Sequence, residues 1–338
     1  MTTKDEVKAL WKCCFADSDE FIDLYFSRRY SDDINMAVRE GGKVISALQM
    51  IPYPMTFCGE IIPMAYISGA CTHPDYREHG AMRKLLAATH RRMYADGVWL
   101  STLIPAEEWL FGYYAKSGYA SCFGRSVRRV GKECLSRSLD SDTKMEVCAS
   151  FTDDLFHYFD TRMRGRDGCV LHTPEDLSVV MADMALSDGK LLVARSKEGI
   201  AGMALVVPDA EKVSVKEILA DNEVVHLALL SEAAYIYKVR RLEYMVPAPA
   251  DESPLGMARV INAEALLGLF ARKHPEQELF ICLEGDEAIP ENNGCYTLKE
   301  GRCTHDRRVR KEYHIHTPSE LVGLLWQEEH PCMSLMLD

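Results

Sequence analysis

Apolar positions in the first 130 residues alternate between helical and strand spacing. Over residues 5–30, Phe21, Leu24 and Tyr25 recur at the interval of one helix face. Runs that favour strands follow, separated by turn residues such as Gly41-Gly42 and Cys58-Gly59-Glu60. The predicted order is α-α-β-β-β-β-α-β-α-β, with strands near 35–39, 44–53, 64–72, 98–104 and 119–130, a hairpin formed by 55–57 and 61–63, and the later helices near 80–96 and 107–116. This order predicts a mixed α/β (α+β) fold, in which helices cover a mixed sheet.

The rest of the chain divides at two stretches that lack periodicity. Residues 131–145 are polar and indicate a linker, and Pro247, Pro249 and Pro254 mark a second boundary. Between them a three-strand meander at 190–219 precedes a helix that Asn222 caps. Because a domain typically has about 150 residues, the 338-residue chain favours two or three domains. The predicted domains are 1–132, 146–250 and 256–338.

Composition limits the function classes. The sequence is 47% hydrophobic and 27% charged, which is typical of a globular protein, and its net charge of −12 argues against a nucleic-acid partner. No apolar run reaches the roughly 18 residues of a membrane span, and no secretory signal is recognisable, so we expect a cytoplasmic protein without a membrane partner. The 12 cysteines include no C-x-x-C pair and no cluster with metal-ligand spacing. We therefore expect reduced thiols and no bound metal.

The run Thr72-His73-Pro74-Asp75-Tyr76-Arg77-Glu78-His79-Gly80-Ala81-Met82-Arg83 joins a predicted strand to a predicted helix. The N–H groups at a helix N-terminus and the helix dipole favour an anion, and Gly80 allows a phosphate to approach the backbone. Arg77 and Arg83 can add charge-assisted hydrogen bonds. The run predicts a phosphate site; the alternative is an ordinary turn with a solvated arginine.

Arg77-x-x-Gly80-x-Met82 resembles the R/Q-x-x-G-x-G/A coenzyme A signature of the GCN5-related N-acetyltransferases (GNAT), although Met82 departs from its last position. R-x-x-G-x-x-R resembles the enhanced-intracellular-survival branch of that superfamily. The resemblance implies a GNAT mixed sheet, a second GNAT-like domain and a C-terminal sterol-carrier-protein-like α/β domain. The run Gly256-Met257-Ala258-Arg259 resembles the start of that third domain.

The same resemblance implies acetyl-CoA as cosubstrate, bound across the end of a strand and the loop after it. One backbone N–H of that strand would polarise the acetyl carbonyl. Cys71 also admits an interpretation as a ping-pong nucleophile, but no His or Asp is close in sequence to activate it. The predicted cofactor-binding residues are Ala70, Cys71, Thr72, Arg77, Glu78, His79, Gly80, Ala81, Met82 and Arg83.

Tyr113-Tyr114-Ala115-Lys116-Ser117-Gly118-Tyr119 resembles the Y-x-x-x-G-F/Y end of the same fold. The resemblance implies that Tyr114 is the general acid toward the leaving thiolate, a role that a phenol can fill. The alternative is a tyrosine of the core. Tyr113 points about 100° away on a helix and is expected to pack.

The C-terminal tail, 333–338, ends in apolar residues and looks built to dock. In the resembling branch the terminal carboxylate is the base for the substrate amine, which implies a catalytic Asp338. Glu107 and Glu108 either serve the dipole of their helix or line an entrance for the amine. His314 and His316 share a strand face, but a metal site there lacks a third ligand.

Together these features predict an acyltransferase, an acetyl-CoA-dependent N-acetyltransferase that acts on a primary amine by direct attack in a ternary complex. The alternative is a non-catalytic coenzyme A or lipid-binding protein that uses the C-terminal domain. The second domain has no R-x-x-G-x-G loop and is interpreted as structural. Polyamines, aminoglycosides and lysine side chains all fit an acidic protein as small-molecule or side-chain amines, and the resemblance suggests a homo-oligomer.

Overall fold

The computed structural model describes residues 2–131, 143–209, 212–308, 313–326 and 330–337. Most of the predicted linker at 131–145 therefore lies outside the described residues. The described elements of the N-terminal part are α1 (Thr3–Cys14), α2 (Asp19–Arg28), β1 (Asn35–Glu40), β2 (Lys43–Phe57), β3 (Glu60–Thr72), α3 (Ala81–Ala95), β4 (Leu100–Leu103), α4 (Glu108–Ala115) and β5 (Ala120–Gly131).

The remainder of the chain continues the alternation of helices and strands. Its elements are β6 (Lys144–Cys148), α5 (Asp153–Arg164), α6 (Pro174–Leu186), β7 (Lys190–Ser196), β8 (Gly199–Asp209), β9 (Lys212–Ala220), α7 (Glu223–Ile236), β10 (Arg241–Ala248), β11 (Pro254–Val260), α8 (Ala263–Lys273), β12 (Leu279–Leu283), β13 (Gly294–Lys299), β14 (Arg302–Asp306), β15 (His314–His316) and α9 (Pro318–Leu325).

One mixed sheet of 11 strands runs through most of the molecule in the order β1-β2-β3-β4-β11-β5-β10-β9-β8-β7-β6. Strand β5 joins its two halves, because Ala120–Gly124 pairs with β11 whereas Gly124–Gly131 pairs with β10. The halves share an order of elements: β3-α3-β4 in the first corresponds to β9-α7-β10 in the second, and β3 pairs with β4, and β9 with β10, in parallel. The predicted mixed α/β fold with a sheet and flanking helices is confirmed.

Strand β11 comes from far along the chain. It lies between β4 and β5 in the first half-sheet, with Met257–Val260 antiparallel to Leu103–Leu100. The predicted domain boundary at 256 therefore falls inside a strand of the large sheet. The pairing is anchored by Arg259, whose guanidinium is buried and donates to the Ser117 carbonyl (2.8 Å) and to Asp286 (2.5 Å).

The C-terminal region adds a second, four-stranded sheet in the order β14-β13-β12-β15, covered by α8. The Cys282 and Cys295 sulfurs are bonded across β12 and β13, so the prediction that all cysteines are reduced thiols is wrong for this pair. The sterol-carrier likeness of this region stays a prediction. None of the described helices is both long enough and apolar enough to cross a membrane.

The first half-sheet is covered on both faces. One face packs against α1 and α2 through Val7, Leu10, Trp11, Tyr25 and Phe26, and the other packs against α3 and α4 through Leu85, Leu86 and Tyr114. Alternation along a strand sends successive side chains to opposite faces, so β3 contributes to both layers. Its carboxyl end thus lies between α1 on one side and α3 with α4 on the other.

Candidate active site

A split opens in the sheet between β3 and β4. The two parallel strands pair only at Met64–Tyr66 with Leu100–Thr102. Beyond Tyr66, residues 67–72 of β3 pair with β2 alone in the described structure, so their backbone groups on the β4 side face a gap. Ala70 and Thr72 are partly exposed there. An extended ligand with amide groups can pair with such a free strand edge.

A bulge in β3 sets the direction of this split. The register passes from Ala47↔Cys71 to Gln49↔Ser68, so Gly69 and Ala70 stand opposite Leu48 alone. Gly69 has a left-handed φ of +60°, and a Cβ there would lie 2.1 Å from the ring of Trp11 on α1. A bulge with left-handed glycine bends and twists the strand that carries it. Gly69 is not among the residues predicted from the sequence, although an isolated glycine within a strand pattern is a signal for such a bulge.

We expect Gly69→Ala to lose more stability than Gly41→Ala. Gly41 has a similar φ of +57°, but nothing lies within 4 Å of the position of a Cβ there. In both variants, placing a residue with a Cβ in left-handed backbone costs roughly 1–2 kcal/mol of stability. Gly69→Ala also overpacks the Trp11 ring, at a further cost of about 1–3 kcal/mol. Denaturant unfolding measures the difference. Equal losses in the two variants would contradict a bulge held by Trp11.

The loop after β3 leads into an open helix N-terminus. A short 3₁₀ turn at Pro74–Tyr76 is followed by left-handed backbone at Glu78 (φ 66°) and Gly80 (φ 76°). Gly80 is the N-cap of α3, and no side chain caps this helix. Because the first N–H groups of a helix have no partner within it, this terminus can receive an anion.

Arg77 secures the loop to the strand. Its Nε donates to the Thr72 carbonyl at 3.1 Å, and its side chain is exposed at the mouth of the split. Arg83, in the first turn of α3, is also exposed, with a guanidinium nitrogen 3.6 Å from where a Gly80 Cβ would stand. The predicted residues Arg77–Arg83 are thus brought together around one helix N-terminus. The segment between the two arginines also contains the other predicted residues, Glu78, His79, Ala81 and Met82.

The corresponding position in the second half is closed. Only Asp221 and Asn222 join β9 to α7. Asn222 Oδ1 accepts from the Val225 N–H at 3.0 Å and caps the helix, while Asp221 accepts from the Tyr158 hydroxyl and from Arg162. A carboxylate and a terminus capped by its own asparagine both oppose the binding of a phosphate at this position.

Tyr114 is buried on α4, on the face of the sheet that α3 covers. Its hydroxyl makes no hydrogen bond to the residues that the structure describes, whereas the buried hydroxyl of Tyr119 bonds both His90 and Ser101. Burial, with smaller contributions from Tyr113 and Cys71, raises the pKa of Tyr114 to about 12. The phenol therefore keeps its proton at neutral pH and has that proton free for another group.

The neighbours of Tyr114 are less suited to chemistry. Tyr113 is half-buried, burial raises its pKa, and it lies near Arg83. Glu107 is the exposed N-cap residue of α4 and forms no side-chain cap, and Glu108 is exposed in the first turn. Cys71 is buried, and its contact with Cys14, together with burial, holds its pKa well above the usual range. Such a thiol is a poor nucleophile, so the site does not favour a ping-pong route through Cys71.

The C-terminal tail docks against the second half of the molecule. Cys332 exchanges backbone hydrogen bonds with Gly168 and Val170, at 2.9 and 3.0 Å. Ser334 Oγ donates to Glu217 Oε2 at 2.7 Å, and Leu337 is buried in the core of the second half. Asp338, the predicted base, lies outside the described residues.

A cavity of about 230 Å³ lies between the tail and the two half-sheets. Ile104, directly after β4, and Gly124 of β5 line one side, and β9 and β10 line the other. Four methionine side chains contribute much of its apolar wall. These are Met184, Met245, Met333 and Met336.

No group of three or more His, Cys, Asp or Glu side chains within the described ranges could hold a metal. His314 and His316 lie on the edge strand β15, where the neighbouring strand is β12.

Residues 2–122 match the family model described as Acetyltransferase (GNAT) domain. No curated protein matches the sequence significantly. The chain is similar in structure to a conserved protein from Enterococcus faecalis V583 (TM-score 0.76, 17% identity, 94% of this chain and 86% of that one). It is similar to a GCN5-related N-acetyltransferase from Anabaena variabilis ATCC 29413 (TM-score 0.76, 14% identity, 95% and 86%). It is also similar to Eis1 from Mycobacterium abscessus (TM-score 0.74, 14% identity, 96% and 87%).

At these identities the likeness establishes a shared fold along nearly the whole chain. The matched segment ends at residue 122 and contains β3, the 77–83 loop, α3 and Tyr114. The sequence thus resembles the GNAT acetyltransferase domain model over residues 2–122, and the chain shares the fold of the neighbours above along nearly its whole length.

Proposed function

We propose that the protein is an N-acetyltransferase that moves an acetyl group from acetyl-CoA to a primary amine by direct attack in a ternary complex. One observation carries the proposal: the free edge of β3 leads through a short loop into the uncapped N-terminus of α3, and Tyr114 packs in the same hydrophobic cluster as Ala70 of that edge. The GNAT match over the same residues supports acyl transfer.

The residues around the split fit acetyl-CoA. The backbone of 67–72 can pair with the amides of the pantetheine arm, and the N-terminus of α3 with Arg77 and Arg83 can hold the pyrophosphate. Acetyl-CoA supplies an activated thioester. An N–H at the Gly69–Ala70 bulge would polarise its carbonyl, and Tyr114 would give its proton to the departing sulfur.

We expect Arg77→Ala to weaken acetyl-CoA binding by about tenfold or more, since a hydrogen bond from a charged group contributes roughly 1.5–3 kcal/mol. Gly80→Val should act similarly by forcing a β-branched residue into left-handed backbone at the helix terminus. Isothermal titration measures the affinity, and circular dichroism checks the fold. Arg92→Ala removes an exposed cation at the other end of α3 and is the control. Unchanged affinity in both variants would move the phosphate site elsewhere.

We infer that the acceptor amine enters the cavity beside the tail. The carboxylates there already have cationic neighbours: Glu217 faces Arg166 at 3.4 Å, and Lys216 opposes the burial that raises the pKa of Asp183. Arg125 adds a further positive charge to the lining. The net charge of −12 is therefore not concentrated in this cavity.

This charge balance, with the methionine-rich wall, favours an amine with one cationic group and an apolar body over a polycation. Methionine side chains adapt to apolar ligands of irregular shape. A thiol-release assay should give higher kcat/KM with arylalkyl monoamines than with spermidine or an aminoglycoside. The reverse order would contradict the inferred acceptor class. Acetyl-CoA binding without thiol release from any amine, accompanied by tight lipid binding, would overturn the transferase in favour of a binding protein.

A further inference from the structure

Two thiols from distant parts of the chain meet at the end of β3. Cys14 is the last residue of α1, and its sulfur lies 3.4 Å from the carbonyl oxygen of Thr72. The side chains of Cys14 and Cys71 are in contact. Cys14 is partly exposed, whereas Cys71 is buried. One thiol of the pair is thus open to a reagent, and the other lies directly behind it.

The surroundings of Cys14 stabilise a thiolate. The contact with Cys71, followed by that with the Arg77 guanidinium, lowers the pKa of Cys14 to about 6. His73 contributes in the same direction. A partly exposed thiol with a lowered pKa, lying beside a second thiol, has the features of a redox-reactive cysteine with a resolving partner.

We propose that Cys14 and Cys71 are an oxidant-sensitive thiol pair, and that their disulfide weakens acetyl-CoA binding. The effect on binding rests on the function proposed above for the split. The reaction takes a hydroperoxide as its oxidant. The thiolate of Cys14 attacks one peroxide oxygen, and the O–O bond breaks. With one proton taken from solvent, the products are a sulfenic acid on Cys14 and water or an alcohol. Oxidation of Cys14 to a neutral sulfenic acid removes the thiolate that is the largest cause of the raised pKa of Cys71. The Cys71 thiol then attacks the Cys14 sulfur, an S–S bond forms, and its proton leaves with the sulfenic oxygen as water. The two sulfurs together supply the two electrons that reduce the peroxide.

The pair is coupled to the cofactor site through Thr72 and Arg77. Cys71 stands between Ala70 and Thr72 on the strand edge proposed to pair with pantetheine. The Thr72 carbonyl accepts from Arg77, and the Cys14 sulfur lies beside both groups. A disulfide draws the Cys71 side chain toward α1 and so displaces the backbone of Ala70 and Thr72, which would hold the pantetheine arm. This displacement of the strand edge is the change that weakens acetyl-CoA binding.

A second thiol pair offers an internal comparison. Cys169 and Cys332 interact where the tail bridges to the second half, but both are buried. Because both residues are buried whereas Cys14 is partly exposed, we expect this pair to react more slowly than Cys14 and Cys71 under a mild peroxide treatment.

The full-length protein is treated with a small molar excess of hydrogen peroxide, and its disulfides are mapped by mass spectrometry. Acetyl-CoA affinity is measured by titration before treatment, after it and after reduction with dithiothreitol. We expect a 14–71 disulfide, an affinity loss of at least tenfold, and recovery on reduction. Cys14→Ser and Cys71→Ser should each make the affinity insensitive to peroxide, whereas Cys13→Ser, which replaces the exposed neighbour, should respond like the wild type.

Three outcomes would overturn the proposal: no 14–71 disulfide, a disulfide with unchanged affinity, or an affinity loss that persists in Cys14→Ser. If the untreated protein does not bind acetyl-CoA, the assignment of the split fails instead. Disulfide mapping, which needs no cofactor, still decides whether the thiol pair is oxidant-sensitive.

Discussion

Tyr114→Phe should lower kcat by about 10²–10⁴-fold while leaving the affinity for acetyl-CoA unchanged. Positioned general acids contribute factors of this size. The substitution removes one oxygen that has no hydrogen-bond partner in the described residues, so the folded protein should keep its stability. Because burial raises the pKa of this phenol to about 12, the wild-type side chain is protonated throughout the pH range of an ordinary assay. The loss should therefore be nearly constant from about pH 6 to pH 9.

Two neighbouring tyrosines separate chemistry from packing in this experiment. Tyr113→Phe should be nearly silent, because that side chain is half-buried on another face of α4. Tyr119→Phe leaves His90 and Ser101 without their shared buried partner, so it should lose stability at little cost to turnover in the folded enzyme. Steady-state kinetics and thermal unfolding of the three variants test the pattern. A Tyr114→Phe enzyme within about twofold of the wild type would remove the hydroxyl from the mechanism.

The parts of the site that follow one another in sequence could be predicted. The run 72–83 joins a strand, a loop and a helix, and its residues stay neighbours however the rest of the chain folds. The predicted start of the helix, near Gly80, lies within one residue of the observed start of α3 at Ala81, because a glycine directly precedes the apolar helix face. The position of Tyr114 on a helix that ends just before Gly118 follows in the same way.

The features that depend on distant contacts could not be predicted. Trp11 meets Gly69, and Cys14 meets Cys71 and Arg77, only because α1 packs on the strand pair β2–β3. Strand β11 looked like the start of a new domain because prolines precede it, yet it pairs with β4 and β5 more than 120 residues earlier. Periodicity reports which residues form a strand, but it does not report which partner that strand finds.

The most demanding prediction tests the proposal, implied by the family resemblance, that the α-carboxylate of Asp338 is the base that accepts the proton of the amine. Extending the protein by one glycine beyond Asp338 should lower turnover at least 100-fold without weakening acetyl-CoA binding. The extension converts the α-carboxylate of Asp338 into a neutral amide and moves the new terminus by roughly 3.3–3.6 Å, which exceeds the tolerance of a hydrogen bond. The tail should stay docked, since its bonds from Cys332 to Gly168 and from Ser334 to Glu217 lie upstream.

Asp338→Asn is the matched variant, because it keeps the α-carboxylate and should retain much of the activity. Leu337→Ala tests packing instead: it removes a buried side chain but keeps the terminus, so it should lower stability more than turnover. Deleting Leu337 and Asp338 combines both effects and moves the carboxylate by up to about 7 Å. If the tail only packs, the glycine extension will be fully active, and activity will follow stability across the set. That result would exclude the terminal base and leave the exposed Glu107, acting through water, as the group to test next.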